Sequence, residues 1–314
     1  MTAPIRRREL VAAAARRLAE GGVASPEYDA QELLAHVLGT SRARLVLVDE
    51  VAADRAEVYR ELIGRRAARE PLQHLTGVAY FRHVELAVGP GVFVPRPETE
   101  LLAGWAVDAL RQVAADSVAE VRAPAPVLRC ELASLEGSRE TPVVVDLCTG
   151  SGAIAKAIKD ELPAAEVHAV ELSEEAHRWA ERNLAGTGVA LRQGDMGEAF
   201  ADLEGSVDVV VCNPPYIPLE AWESVAVEAR DHDPQLALFS GQDGLDAIRV
   251  LERRAARLLK PGGVVGFEHA DEQGVEAGRY SAPAVFTATG RWSDVRDHQD
   301  LAGRPRFVTA RLAR

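Results

Sequence analysis

The sequence predicts an α/β fold, a parallel sheet covered by helices on both faces, with a separate helical bundle ahead of it. Three observations carry that reading. From Pro142 onward, short uninterrupted apolar runs alternate with amphipathic stretches, as expected of strands buried on both faces. Over roughly the first 75 residues, apolar positions recur only at helical spacing. Between these regions lie two strand-like runs punctuated by glycine and proline, a hairpin signal.

Leu10, Val11, Ala14 and Leu18 mark a first helix, and Leu33, Leu34, Val37 and Leu38 a second. Ser25-Pro26 supplies an N-cap and a proline at the first helical position, and Gly39 closes that helix. Ser41 and Asp54 are expected to cap two further helices, the last ending near Pro71. Residues 1–75 are therefore expected to form a bundle of their own. Residues 76–97 are expected to be a hairpin linker, with Phe81–Val88 and Val92–Val94 joined through Gly89-Pro90-Gly91. A helix with acids in its first turn should run from about Glu98 to Ala114, opening a domain of residues 98–314. The Ala/Pro/Glu-rich stretch 116–141 is expected to be a flexible insertion.

Strands are then expected at Val143–Leu147, Val167–Leu172, Val189–Arg192, Val207–Cys212 and Val264–His269. The helices between them are Ala153–Leu162, one capped by Ser173 and reaching Leu184, and Leu245–Leu259. Trp292–Arg296 and Arg306–Leu312 should close the sheet as an antiparallel edge hairpin. Ligands of such sheets bind beyond the carboxyl ends of the strands, where the strand order reverses.

Composition narrows the function. Lys and Arg number 36 against 48 Asp and Glu, a formal net charge of -12, which argues against direct binding along nucleic acid. No uncharged apolar run reaches about 18 residues, so no membrane span is expected. The basic start, Met1–Arg8, is followed by too short an apolar run for a secretory signal and reads as a helix face. Cys130, Cys148 and Cys212 are too dispersed for a disulfide scaffold, which fits a reducing cytoplasm. The histidines show no metal-ligand spacing, so no metal is expected.

The chemistry-bearing segments all fall at strand ends. Asn213-Pro214-Pro215-Tyr216 follows the strand Val207–Cys212 directly. Two prolines remove two backbone donors, leaving the Asn213 and Pro214 carbonyls as acceptors beside the Asn213 amide oxygen and the Tyr216 ring. Such a set suits a planar NH2 group, whose delocalised lone pair must be held in line with an electrophilic methyl carbon. After the first strand of the sheet, Asp146-Leu147-Cys148-Thr149-Gly150-Ser151-Gly152 lets backbone approach a ligand at a helix N-terminus. It lacks the Gly-x-Gly-x-x-Gly spacing, which disfavours a nicotinamide cofactor. Glu171 ends the second strand, where an acid can accept ribose hydroxyl protons, and Asp195-Met196 follows the third, at the expected adenine position.

These residues resemble the protein-(glutamine-N5) methyltransferases of peptide chain release factors, the HemK/PrmC family. The likeness covers nearly the whole chain. It includes Glu70-Pro71-Leu72-Gln73-His74-Leu75-Thr76-Gly77, Phe93-Val94-Pro95-Arg96-Pro97-Glu98-Thr99-Glu100, Asp146 to Gly152, Asn213 to Tyr216, Asp233-Pro234 through Asp243-Gly244-Leu245, Glu268-His269 and Gly303-Arg304. Asn-Pro-Pro-Tyr is shared with DNA adenine and ribosomal RNA guanine methyltransferases, so a nucleic-acid amino-group (adenine N6 or guanine N2) methyltransferase is the alternative. The resemblance implies a Rossmann-like class I S-adenosylmethionine-dependent methyltransferase sheet with a helical substrate-recognition bundle. It implies S-adenosylmethionine as donor, the glutamine of a release factor's Gly-Gly-Gln loop as acceptor, and so a role in translation termination. Asn213, Pro214, Pro215 and Tyr216 would bind the acceptor, with Asn213, Pro214 and Tyr216 catalytic. Phe93, Arg96, Asp146, Cys148, Thr149, Gly150, Ser151, Gly152, Glu171, Asp195, Met196 and Asn213 would hold the donor. Cys148 stands where the family usually has glycine.

Overall fold

The computed structural model describes residues 4–122 and 141–313. The chain divides into two compact units. The first comprises the N-terminal residues to Ala79 together with Val88–Val94 and Ser224–Asp233; the second holds the remainder.

In the first unit, β1 (Ile5–Arg6) pairs antiparallel with β2 (Glu50–Val51), so the expectation of helices alone misses a two-residue bridge. Around it stand α1 (Arg7–Glu20), α2 (Pro26–Leu38), α3 (Ala53–Ala67) and α4 (Leu72–Thr76). Their apolar faces meet through Leu10, Leu18, Leu33, Leu34 and Ile63, all buried. Pro26 starts α2 and Gly39 ends it in the left-handed conformation, as expected, although the Ser25 side chain makes no capping bond. Asp54 is a correction: Ala52 is the cap of α3, and Asp54 lies in its first turn, where its charge favours the helix dipole. Gly21 is required by packing, since a Cβ there would lie 2.6 Å from the Ala67 carbonyl oxygen. Two polar side chains buried inside the bundle, Tyr59 and Arg66, are matched. The Tyr59 hydroxyl donates to the Ala30 carbonyl at 2.9 Å, and Arg66 Nε donates to Asp29 Oδ2 at 2.7 Å. Arg69 forms a two-bond pair with Glu228, of the same unit.

The hairpin consists of β3 (Val78–Phe81) and β4 (Val84–Ala87). Its turn is Arg82-His83, with Arg82 at φ 49°, not Gly89-Pro90-Gly91 as the glycine and proline content predicts. Val92–Val94 forms no strand. Arg82 is fixed by its side chain, which pairs with Glu161 and donates to the Glu100 carbonyl at 3.0 Å. That tertiary anchoring outweighs the turn propensity of the glycines.

In the second unit α5 (Thr99–Arg122) opens the domain and runs past the expected end at Ala114. The first residues of the expected insertion thus continue a helix, and residues 123–140 of it lie outside the described residues. There follow β5 (Val143–Leu147), α6 (Ala153–Glu161), β6 (Glu166–Glu171), α7 (Glu174–Leu184), β7 (Ala190–Gln193), β8 (Val207–Cys212), α8 (Val227–His232, in the first unit), α9 (Gln235–Leu238), α10 (Asp246–Leu258), β9 (Leu259–Glu268), α11 (Ala282–Thr287), β10 (Trp292–Gln299) and β11 (Pro305–Leu312). The seven-stranded sheet has the order β10-β11-β9-β8-β5-β6-β7, parallel from β9 to β7, with β11 and β10 joined antiparallel at its edge. Val145, Leu147, Val210, Phe267 and Ile248 are among its fully buried core residues. Phe267 and Phe286 stack with ring centroids 4.6 Å apart. The chain leaves β5 for β6 and β7, then returns to β8 on the other side of β5. The carboxyl ends of β5 and β8 therefore flank the point where the strand order reverses, and a ligand crevice belongs there.

Candidate active site

The loop after β5 is built to expose backbone. Cys148, Gly150 and Gly152 all have positive φ, at 60°, 57° and 84°. Cys148 thus adopts a conformation that glycine would favour, at a cost of about 1 kcal/mol, and the loop keeps its shape. The two glycines differ in purpose. A Cβ at Gly152 would lie 3.0 Å from Leu184 Cγ, so this glycine lets α6 begin close against α7. A Cβ at Gly150 would meet nothing within 4 Å, so its bare backbone faces open space.

Two carboxylates hold this loop. Asp146 is fully buried beneath it; its Oδ2 accepts from Thr149 Oγ1 at 2.6 Å and from the Ala155 amide at 3.2 Å. Among the described residues its Oδ1 has no hydrogen-bond partner. Burial pushes the Asp146 carboxyl up to about 7, against the opposing pull of the Thr149 hydroxyl and Ala155 amide. Glu171 Oε2 accepts from the Gly150 amide and Oε1 from the Ser173 amide, both at 2.8 Å. Burial raises the Glu171 carboxyl above its ordinary value, and those backbone N–H groups oppose the rise. Each of its oxygens retains a lone pair for a further donor.

The remaining donor-side residues differ in how they sit. Ser151 is buried, and its carbonyl accepts from Asn183 Nδ2 at 2.9 Å. Asp195 is exposed and its Oδ1 accepts from the Gly197 amide at 2.7 Å. Met196 is half-buried, its Sδ 3.3 Å from Cys148 Sγ, which ties the loop after β7 to the loop after β5. Arg96 lies near enough to Tyr216 to oppose the rise of its phenol. Phe93 is half-buried and belongs to the first unit.

The acceptor side follows β8. Asn213 and Glu268 come one residue beyond the Cys212–Phe267 pair of adjacent parallel strands. Asn213 Nδ2 donates to Thr99 Oγ1 at 3.3 Å, Thr99 Oγ1 donates to Glu268 Oε2 at 2.6 Å, and the Tyr216 hydroxyl donates to Glu268 Oε1 at 3.0 Å. Among the described residues no donor meets Asn213 Oδ1. Pro214 is buried and Pro215 half-buried. The Tyr216 carbonyl accepts from Gln273 Nε2 at 3.0 Å. Gly244 closes over the same carbonyl, where a Cβ would come within 2.3 Å of the oxygen. Burial and the neighbouring Glu268 drive the Tyr216 phenol well above its ordinary value, so it stays protonated. His269 is fully buried and occupied elsewhere, with Nδ1 2.7 Å from the Ala270 carbonyl and Nε2 3.1 Å from Asp297 Oδ1.

Sequence reading placed neither Thr99 nor Glu268 in the site. Both stand in segments that carry the family resemblance, and an acid at the end of an expected strand, as at Glu171, was the available signal for Glu268.

A parallel sheet with this strand order, a glycine loop after β5 and an Asn-Pro-Pro-Tyr loop after β8 defines a Rossmann-like class I methyltransferase. Residues 144–232 match a methyltransferase domain family, and residues 9–77 match the PrmC N-terminal domain. The chain is 56% identical over 303 residues to the release factor glutamine methyltransferase of Streptomyces coelicolor, covering 96% of this chain and 97% of that one. It is 42% identical over 312 residues to the enzyme of that name from Mycolicibacterium smegmatis, covering 98% and 99%. A third relative, at 44% identity over 231 residues, is the 4-amino-L-phenylalanine/4-methylamino-L-phenylalanine methyltransferase of Streptomyces pristinaespiralis, with 74% of this chain and 70% of that one covered. The chain belongs to the release factor glutamine methyltransferase family.

Proposed function

We propose that this protein transfers a methyl group from S-adenosylmethionine to the side-chain amide nitrogen of the glutamine in the Gly-Gly-Gln loop of peptide chain release factors, in the cytoplasm, as part of translation termination. The observation that carries the acceptor chemistry is the Asn213 amide. Its NH2 is engaged by Thr99 while Oδ1 meets no donor among the described residues. An acceptor glutamine would donate one N–H to Asn213 Oδ1 and the other to the Pro214 carbonyl, with Tyr216 against the flat amide.

The donor-side residues fit the proposed cofactor. Bare backbone at Gly150 leaves a cradle, Glu171 has lone pairs to offer ribose hydroxyls, and Asp195 and Met196 would border the adenine. Bound there against Arg96, Cys148, Thr149, Ser151 and Gly152, the cofactor would supply a methyl carbon on a sulfonium. Asp146, fully buried, would act by holding the loop. Asn213 and Pro214 orient the acceptor nitrogen for in-line attack. As the N–C bond forms and the S–C bond breaks, the cofactor would leave as a neutral thioether, both oxygens would stabilise the positive charge growing on the nitrogen, and one N–H proton would then pass to solvent. No strong general base is required.

The name of the third relative, 4-amino-L-phenylalanine/4-methylamino-L-phenylalanine methyltransferase, gives two substrates that carry an aromatic amine. The same grip would serve the nucleic-acid alternative, which the net charge of -12 disfavours. Mass spectrometry after incubation with donor, a release factor and ribosomal RNA side by side tests the reading. One added methyl on the Gly-Gly-Gln glutamine is expected, and methylation of RNA alone would refute it. Asn213→Ala should lower transfer by about a hundredfold or more while donor affinity measured by calorimetry falls only slightly, because most donor contacts lie on the loops after β5, β6 and β7.

A further inference from the structure

Glu268 is 2% exposed at the end of β9, and no step of the proposed transfer uses it. Its two carboxylate oxygens meet two hydroxyls, Thr99 Oγ1 at 2.6 Å and the Tyr216 hydroxyl at 3.0 Å. An ionised carboxylate can only accept, so each hydroxyl directs its single proton to Glu268. Thr99 Oγ1 is left with lone pairs alone, and the Asn213 amide is 3.3 Å away. Lone pairs must be met by the NH2 half of that amide. Once the NH2 is held on one side, the amide presents its oxygen on the other. Were the amide reversed, it would offer N–H to an acceptor nitrogen that itself carries N–H, and the two donors would repel.

The chain of bonds has a rigid base. Thr99 is 4% exposed, and its amide donates to the Arg96 carbonyl at 3.2 Å at the start of α5. Burial raises the Glu268 carboxyl above its ordinary value, and the Thr99 and Tyr216 hydroxyls together with the Arg306 guanidinium, on β11, oppose that rise and favour the ionised form.

We infer that Glu268, acting through the Thr99 hydroxyl, is the positioning residue that sets which way round the Asn213 amide sits, so that Oδ1 and not Nδ2 faces the acceptor nitrogen. This inference rests on the amide-grip reading above and adds a residue to it. Glu268 touches no reacting atom; it sets the direction of the hydrogen bonds that run Asn213 to Thr99 to Glu268. Through its other oxygen it also holds the Tyr216 ring.

The test uses the full chain with a release factor and donor. Glu268→Gln keeps the side-chain volume and replaces an acceptor oxygen by an NH2 donor, which allows the Thr99 hydroxyl to reverse. Its kcat should fall by about tenfold or more, the value of one charge-assisted hydrogen bond, while the Kd for donor by calorimetry stays within about twofold. Thr99→Val should lose a comparable factor, and Thr99→Ser should restore most of it, because only the hydroxyl matters. The Glu268→Gln, Thr99→Val double variant should be no slower than the slower single one, as members of one chain are not additive. Should Glu268→Gln fail to fold, the valine and serine variants at Thr99 decide alone. The inference is overturned if folded Glu268→Gln and Thr99→Val turn over at the wild-type rate, or if serine performs no better than valine. Asn213→Ala separates the two levels. If it transfers normally, the amide grip itself is wrong; if it is silent while the Thr99 and Glu268 variants are normal, the grip stands and the positioning role falls.

Discussion

Replacing Asp146 by Asn isolates a proton-linked contribution to stability that the structure allows to be worked through. The carboxyl is fully buried, its Oδ1 lacks a partner among the described residues, and burial raises it from 3.8 to about 7. The folded state therefore prefers the protonated form. Below about pH 4 the carboxyl is protonated in both states and costs nothing. As pH rises, the unfolded chain releases the proton first, and the folded state loses stability at about 1.36 kcal/mol per pH unit. The loss ends once the folded carboxyl also ionises above about pH 7, for a total of about 4 kcal/mol over the whole shift. Asn cannot titrate, so the stability difference between Asp146→Asn and wild type should grow by about 2.5 kcal/mol from pH 5 to pH 8 and then level off. Any constant offset from the new NH2 group leaves that slope untouched. Urea unfolding of both proteins at pH 5, 6, 7 and 8 measures it. Saturating donor, with its positive sulfonium, should move the levelling point to lower pH. A difference that is flat across this range would mean that Asp146 is already ionised in the folded protein, and the argument from burial would fail.

Two further outcomes follow from the same loop. Glu171→Ala removes the acceptor of the Gly150 and Ser173 amides and a proposed ribose contact; donor affinity by calorimetry should drop about tenfold or more, and unchanged affinity would remove Glu171 from the donor site. Gly152→Ala should destabilise the fold by about 1–3 kcal/mol from left-handed strain and its approach to Leu184, whereas Gly150→Ala carries the left-handed strain alone, about 1 kcal/mol, and should also lose donor binding. If Gly150→Ala bound donor normally, the open space beside Gly150 would not be the cradle.

The expected sheet strands and their helices agree with the observed ones to within a few residues, apart from the early start of β9. They are legible because each is a local matter, an apolar run or a helical stripe flanked by a cap. Ser173, for example, accepts from the Ala176 amide as a capping residue should. The misses have tertiary causes. The hairpin turns at Arg82 because Glu161, 79 positions away, holds the arginine there. Asp54 looks like a cap by residue type alone, but the chain enters α3 two positions earlier, at Ala52. Cys148 adopts a glycine-like backbone because the loop's hydrogen bonds to β6, such as Thr149 amide to Val170 carbonyl at 2.9 Å, hold it there.

Sequence alone determined that Asn213, Pro214 and Tyr216 follow a strand, that glycines open a helix after another, and that acids end the strands between. Each of these is a property of adjacent residues. Only the tertiary structure decided that Glu268, 169 positions from Thr99 and 52 from Tyr216, would gather both hydroxyls, and that Thr99 would reach Asn213 across 114 positions. The direction of a hydrogen-bond chain depends on which group at its end can only accept. That is fixed when packing brings α5, β8 and β9 together, and no local pattern records it.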